Sequence, residues 1–129
     1  VYRSPNSLAD PGKTIYLGNG TDGGIFSAPV DESKGPKFPR GTGMRDVMDG
    51  TSNTVAVVEA ADSIAVIWTK PDDFEMDADD PYRGLTGMRP GGFLAAFCDG
   101  SVRMISHAVA RPTLKGLFTR AGGEILEDF

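Results

Sequence analysis

The sequence predicts an α+β domain: a small antiparallel sheet with irregular loops and one C-terminal helix. Three observations carry that prediction. Glycine (17) and proline (9) punctuate the 129 residues often enough to favour turns and short strands over a helical bundle. Thr54 to Ala60 is β-branched, apolar and bounded by turn residues, as a strand should be. Leu114, Leu117 and Phe118 fall at i, i+3 and i+4, the spacing of one helix face.

The elements follow in chain order within one domain spanning 1–129. Residues 1–43 are loop-rich, broken by Pro5, Pro11, Pro29, Pro36 and Pro39; only Thr14 to Leu17 and Gly24 to Ser27 read as short strands. Asp31 to Lys37 is polar and reads as a surface loop. Residues 44–129 hold the sheet, a hairpin and the helix. Met44 to Met48 makes one helical turn stopped by Asp49-Gly50. After the strand Thr54 to Ala60, Ile64 to Thr69 reads as a second, and Asp72 to Arg83 as an acidic loop.

Phe93 to Ser106 is the clearest local pattern: two apolar runs around Asp99-Gly100. A two-residue type I′ turn there pairs Phe97 with Val102 and Ala95 with Met104. That register buries Phe93, Ala95, Phe97, Val102 and Met104 on one face and puts Arg103 on the other, opposite Ala96. Gly91-Gly92 lacks the context of a dinucleotide-binding turn and is assigned to the start of the first strand. The helix runs from Pro112 to Ala121, with Pro112 at its first position and Gly122 as a left-handed cap. Glu124 to Leu126 reads as a short closing strand.

A net charge of −5 with basic residues scattered argues against nucleic acid as a partner and against an anionic membrane surface. One cysteine, Cys98, permits no internal disulfide, and its apolar neighbours suit a small core hydrophobe better than a nucleophile. No apolar run approaches the ~20 residues needed to span a bilayer. The chain starts at Val1 with no signal peptide in view, which predicts a processed or excised domain.

Few residues suit chemistry. His107 is the sole histidine, and in the predicted hairpin it lies far from Cys98, so a catalytic dyad is disfavoured. One Cys and one His also fall short of a structural zinc site. Asp72 to Asp80 carries six carboxylates in nine residues. The ordinary reading is a solvated loop; the chemical one is a calcium site through Asp77, Asp79 and Asp80, although the spacing matches no known calcium loop. Glu59 lies mid-strand, on the face shared with Val55 and Val57, where a carboxylate needs a partner. Arg45, Lys70, Arg89 and Arg103 are the candidates. Trp68 suits core or half-buried packing, with a ligand platform as the alternative.

Several blocks resemble a pilin-like family of unassigned function that is abundant in planctomycete bacteria. They are Met44 to Thr54, Val57 to Ala60, Trp68 to Asp73, Arg89 to Phe93, Asp99 to Val102 and Thr119 to Glu124, with Arg3-Ser4-Pro5 and Tyr16-Leu17 as looser matches. The resemblance makes Glu59, Arg89, Gly91, Gly92, Asp99 and Gly100 candidates for a shared structural motif. Its family pattern has His, nine residues, then Asp-Gly; Arg89 stands here in the place of that His. Arginine can pair with Glu59 or cap a turn, but it cannot ligate a metal or act as a base. Arg111 likewise stands where the family has Asp before the helix proline.

The family begins with a prepilin leader and a hydrophobic helix and is related to type II secretion pseudopilins. The resemblance therefore implies a pseudopilin-like globular domain without its N-terminal helix, a structural or assembly subunit rather than an enzyme. It implies location in the cell envelope, on the periplasmic or extracellular side, and a membrane anchor only through that helix. The implied partners are other pilin-like subunits or envelope proteins. No cofactor is expected, calcium excepted. Two alternatives stand beside it. One is an extracellular module that binds carbohydrate, peptide or a secreted partner, favoured if Tyr2, Tyr16, Phe26 or Trp68 form an exposed patch. The other is a hydrolase, which would need two convergent carboxylates in a pocket.

Overall fold

A computed structural model describes residues 2–27 and 41–129. It has the predicted α+β class: two antiparallel sheets, one α-helix and long irregular connections among those residues. The predicted loop Asp31 to Lys37 lies outside the described residues.

The predicted strand Thr14 to Leu17 is interrupted at Ile15. It gives β1 (Lys13–Thr14) and β2 (Tyr16–Gly18), which pair with different partners. Gly24 to Ser27 is a turn instead of a strand, because Gly24 and Ser27 donate locally to Thr21 and Gly24. Met44–Asp46 forms a 3-10 turn, and Val55–Glu59 forms β3. The second predicted strand shrinks to β4 (Val66–Ile67), since Asp62–Ile64 is held in a 3-10 turn. β5 is Gly92–Phe97, β6 is Val102–Ser106 and α1 is Arg111–Leu117. The main sheet runs β2-β3-β5-β6, and β1 pairs with β4 beside it.

The β5–β6 register differs from the prediction by one residue: Ala96 faces Val102, Ala95 faces Arg103 and Leu94 faces Met104. A type I′ turn needs positive φ at both central residues, and among the described residues only glycines have it. Gly100, at φ +85°, supplies one such residue. The chain therefore uses a three-residue loop: Gly100 N donates to Phe97 O at 3.0 Å and Phe97 N to Ser101 O at 2.8 Å. Asp99 instead accepts from Ser101 N and Oγ, at 2.9 and 2.7 Å.

A one-residue slip exchanges the faces of β6. Val102 and Met104, predicted buried, are 63% and 49% exposed. Ile105 takes the inner position opposite Phe93, and the Arg103 guanidinium lies 3.9 Å from the centre of the Phe97 ring. The inner face, with Val55, Val58, Phe93, Ala95 and Phe97, joins Leu114, Leu117 and Phe118 of the helical segment in one core.

The helix stops at Leu117, with Phe118 as its cap, four residues before the predicted end. Tertiary partners capture the chain that follows. Arg120 N donates to Gly23 O at 3.0 Å, and Gly122 N and Gly123 N donate to the Asp49 carboxylate at 2.8 and 2.9 Å. Gly123, not Gly122, has the positive φ, +72°. Pro112 is the second helical residue rather than the first, after an Ala110 cap with no side-chain bond. Glu124 to Leu126 form no strand, although Leu126 and Phe129 pack on the core.

Candidate functional site

The second face of the main sheet is where the sequence leaves something unfinished. Side chains alternate along a strand, and cross-strand partners share a face. Met104 and Leu94 therefore stand in one row, and Val102, Ala96 and Val57 in the next. All five are apolar, and none is fully buried. Within this outer face Gly92 admits no side chain, since an added Cβ would lie 2.5 Å from Ile105 O. The face is apolar and open on its β6 side, where Val102 and Met104 are exposed, while on its β2 side Phe26 and Asp73 lie against Gly18, the partner of Val57.

One end of that face is closed by a buried ion pair. A bulge between Val55 and Val57 turns Val55 inward against Phe97, so Glu59 shares its face with Val57 but not with Val55 as predicted. Glu59 is 3% exposed. Arg89 Nε donates to Oε2 at 2.6 Å and Nη2 to Oε1 at 3.2 Å, a bidentate pair. Ser4 Oγ donates to Oε1 at 2.5 Å. Burial raises the Glu59 pKa, but the bonds from Arg89 and Ser4 and the charge of Arg89 outweigh it, holding the carboxyl below its ordinary value.

The Arg89 side chain reaches Glu59 because the chain turns at once behind it. Pro90 and Gly91 occupy the central positions of a tight turn, Gly91 at φ +78°, as a type II turn requires. Arg89 and Gly92 then face each other as an isolated bridge, and Gly91 O accepts from His107 N at 2.9 Å. Thus Ser4, Glu59 and Arg89, from three of the resembling blocks, meet at one point. Of the other cations proposed for Glu59, Lys70 pairs with Asp72 at 2.7 Å and Arg103 lies over Phe97.

Nearby, the N-terminal segment is fastened to the sheet. Thr14 Oγ1 donates to Tyr2 O at 2.6 Å, and Ser7 Oγ and Leu8 N donate to Asp62 at 2.5 and 2.9 Å. This brings the Tyr2 ring against Trp68, with centroids 5.6 Å apart and planes at 30°. Trp68 is 56% exposed and Tyr2 59%, so Trp68 stands outside the core; Tyr16 and Phe26 are exposed as well. Tyr2 and Trp68 line an open cleft of about 370 Å³ with Arg3, Pro11, Gly12 and Lys13.

The remaining candidates stand apart. Asp77 spends one oxygen on Asp79 N and Asp80 N, at 2.8 and 3.1 Å, and the other on Arg83 at 2.8 Å. Its carboxyl is held below its ordinary pKa by those bonds, Asp80 N first. Asp79 and Asp80 do not converge with it: among the described residues no three His, Cys, Asp or Glu side chains are grouped to hold a metal ion. Cys98 and His107 follow opposite ends of the hairpin. Burial, and then the charge of Asp99, push the Cys98 thiol above its ordinary pKa. His107 Nε2 lies 3.1 Å from Leu85 O, with its ring beside Tyr82 and Phe93.

Sequence reasoning missed Asn19. It is fully buried, and its Nδ2 donates to Val55 O and Phe118 O, both at 2.9 Å. It thereby joins the bulged start of β3 to the end of α1. The available signal was Gly18-Asn19-Gly20, since flanking glycines mark a close approach. A Cβ on Gly18 or Gly20 would meet Asp73 at 2.8 or 2.7 Å.

A family model described as "Protein of unknown function (DUF1559)" matches residues 3–81, more than half of the chain, and ends before Arg89 and the β5–β6 hairpin. No curated protein and no solved structure matches.

Proposed function

The chain belongs to the DUF1559 family of proteins of unknown function, and we propose that it is the non-catalytic globular domain of a pseudopilin-like subunit of the cell envelope. The observation that carries this reading is the exposed apolar end of the outer face, at β5 and β6 of the main sheet. In a pilin-type domain the sheet packs on the N-terminal helix, so such a helix needs an apolar sheet face to receive it. Here α1 lies with the inner face, and Val57, Leu94, Ala96, Val102 and Met104 present the other. Fully burying a side chain such as Val102 or Met104 stabilises by about 1.5–3 kcal/mol, so a helix laid on this face has ample driving force.

The buried pair supports the same reading. Ser4 donates to Glu59 on the outer face, which fastens the N-terminal segment beside it. Both Glu59 oxygens are occupied, which suits a structural latch. The helix would anchor the subunit or pack it beside others in an assembly outside the cytoplasmic membrane.

The test is a paired substitution, Val102→Lys with Met104→Glu. Both side chains are exposed, so the isolated domain should melt within about 2 °C of wild type. In the longer protein that this reading implies, the same pair should release the helix, read as faster proteolysis at the junction and loss of assembly. Unchanged proteolysis and assembly would refute the reading.

A second reading, a binding module, is favoured by one observation: the exposed Tyr2–Trp68 pair in an open cleft.

A further inference from the structure

We propose that the Tyr2–Trp68 cleft binds an acidic oligosaccharide, a uronic acid residue lying on the aromatic pair with its carboxylate between Arg3 and Lys13. This rests on the second reading, that the cleft is a binding surface, and adds the ligand class. Two exposed aromatic side chains in contact are uncommon without a partner, because each leaves a large apolar area in water. Their fixation is deliberate in structural terms. Trp68 N donates to Gly12 O at 3.1 Å, and Thr14 holds the Tyr2 carbonyl, so both rings stand on anchored backbone.

The chemistry of the lining selects the ligand. Ring faces carry partial negative charge and accept the C–H face of a pyranose. The charged residues lining the cleft are Arg3 and Lys13, both cationic, in a chain whose net charge is −5. A neutral sugar has no use for them, and a cation would be repelled. Lys13 lies 3.6 Å from the exposed Asp10, and Arg3 Nη2 reaches Ser7 O at 3.4 Å. Both contacts are long, and a guanidinium has five N–H donors, so Arg3 retains donors for a bidentate carboxylate. A nucleic acid strand would also stack on the rings. Its phosphates, however, need a basic groove to follow, and this cleft offers only Arg3 and Lys13.

Trp68 is the only tryptophan, so its fluorescence reports on the cleft directly. Titration with trigalacturonate should give a saturating change that weakens as salt is raised from 20 to 500 mM. By calorimetry, Tyr2→Ala and Trp68→Ala should each weaken binding about tenfold. Arg3→Gln and Lys13→Gln should each weaken it about threefold and erase the preference over the neutral galactose trisaccharide. Equal binding of the neutral trisaccharide, or stronger binding of a deoxynucleotide hexamer or an acidic peptide, would overturn the ligand class and leave the cleft a binding surface. Failure of every probe to change Trp68 fluorescence or produce heat would overturn both.

Discussion

Replacing Arg89 with alanine should be the most damaging change at the surface of this domain. It strands the Glu59 carboxylate, 3% exposed, with only the Ser4 hydroxyl to stabilise its charge. Removing one partner of a buried pair costs about 3–5 kcal/mol; part of Arg89 meets solvent, so about 3 kcal/mol is expected, a fall in Tm of roughly 10 °C. The sign of the pH dependence follows from the two carboxyl states. In wild type the folded pKa of Glu59 lies below its ordinary value, so its stabilisation is present above that ordinary value and is lost as pH falls through the folded pKa. In Arg89→Ala burial is opposed only by the Ser4 bond and raises the folded pKa, so the deficit should shrink in acid. Urea denaturation at pH 7 and pH 3 measures both slopes. Adding Glu59→Gln to Arg89→Ala should recover part of the loss at pH 7, since a neutral amide still accepts from Ser4. An equal loss at both pH values would mean that packing, not charge, sets the role of Arg89.

Asn19 should be nearly as sensitive, for a different reason. Its Nδ2 satisfies two carbonyls, at the β3 bulge and the end of α1. Asn19→Ala removes both donors and leaves a small cavity; a buried group left unsatisfied costs about 1–3 kcal/mol, so about 2–4 kcal/mol is expected. Asn19→Asp separates the two effects. It keeps the volume but turns an oxygen toward Phe118 O or Val55 O, so it should be at least as unstable as Asn19→Ala at pH 7. Burial beside carbonyls would raise the folded pKa of that Asp, and stability should return as pH falls. If Asn19→Asp is tolerated at pH 7, the donor role is wrong.

How much of this was legible in the sequence depended on whether local chemistry or a distant partner decided the matter. The fold class, β3, the hairpin and the apolar stripe of α1 were readable because periodicity and turn residues agree there. The partner of Glu59 was readable as a need for a cation and as a short candidate set that included Arg89. The hairpin register was not, because it turned on whether Asp99 would accept positive φ. Its carboxylate found Ser101 instead, and one residue of slip moved Val102 and Met104 outward and Arg103 over Phe97. The helix end and Asn19 were hidden for a shared reason. Phe118 O, Arg120 N and the Gly122 and Gly123 amides are satisfied by residues about 70 to 100 positions away, which no local pattern encodes.

That same slip produced the outer face on which the proposed role depends, so Met104 offers the sharpest measurement. Met44, Met48 and Met104 are all exposed in the domain and should oxidise at similar rates in hydrogen peroxide. In the longer protein carrying its N-terminal helix, peptide mass spectrometry should find Met104 protected at least fivefold while Met44 and Met48 oxidise as before. Oxidation of Met104 at an unchanged rate would mean that nothing covers the sheet, and the account of this domain as a helix-bearing subunit would fail.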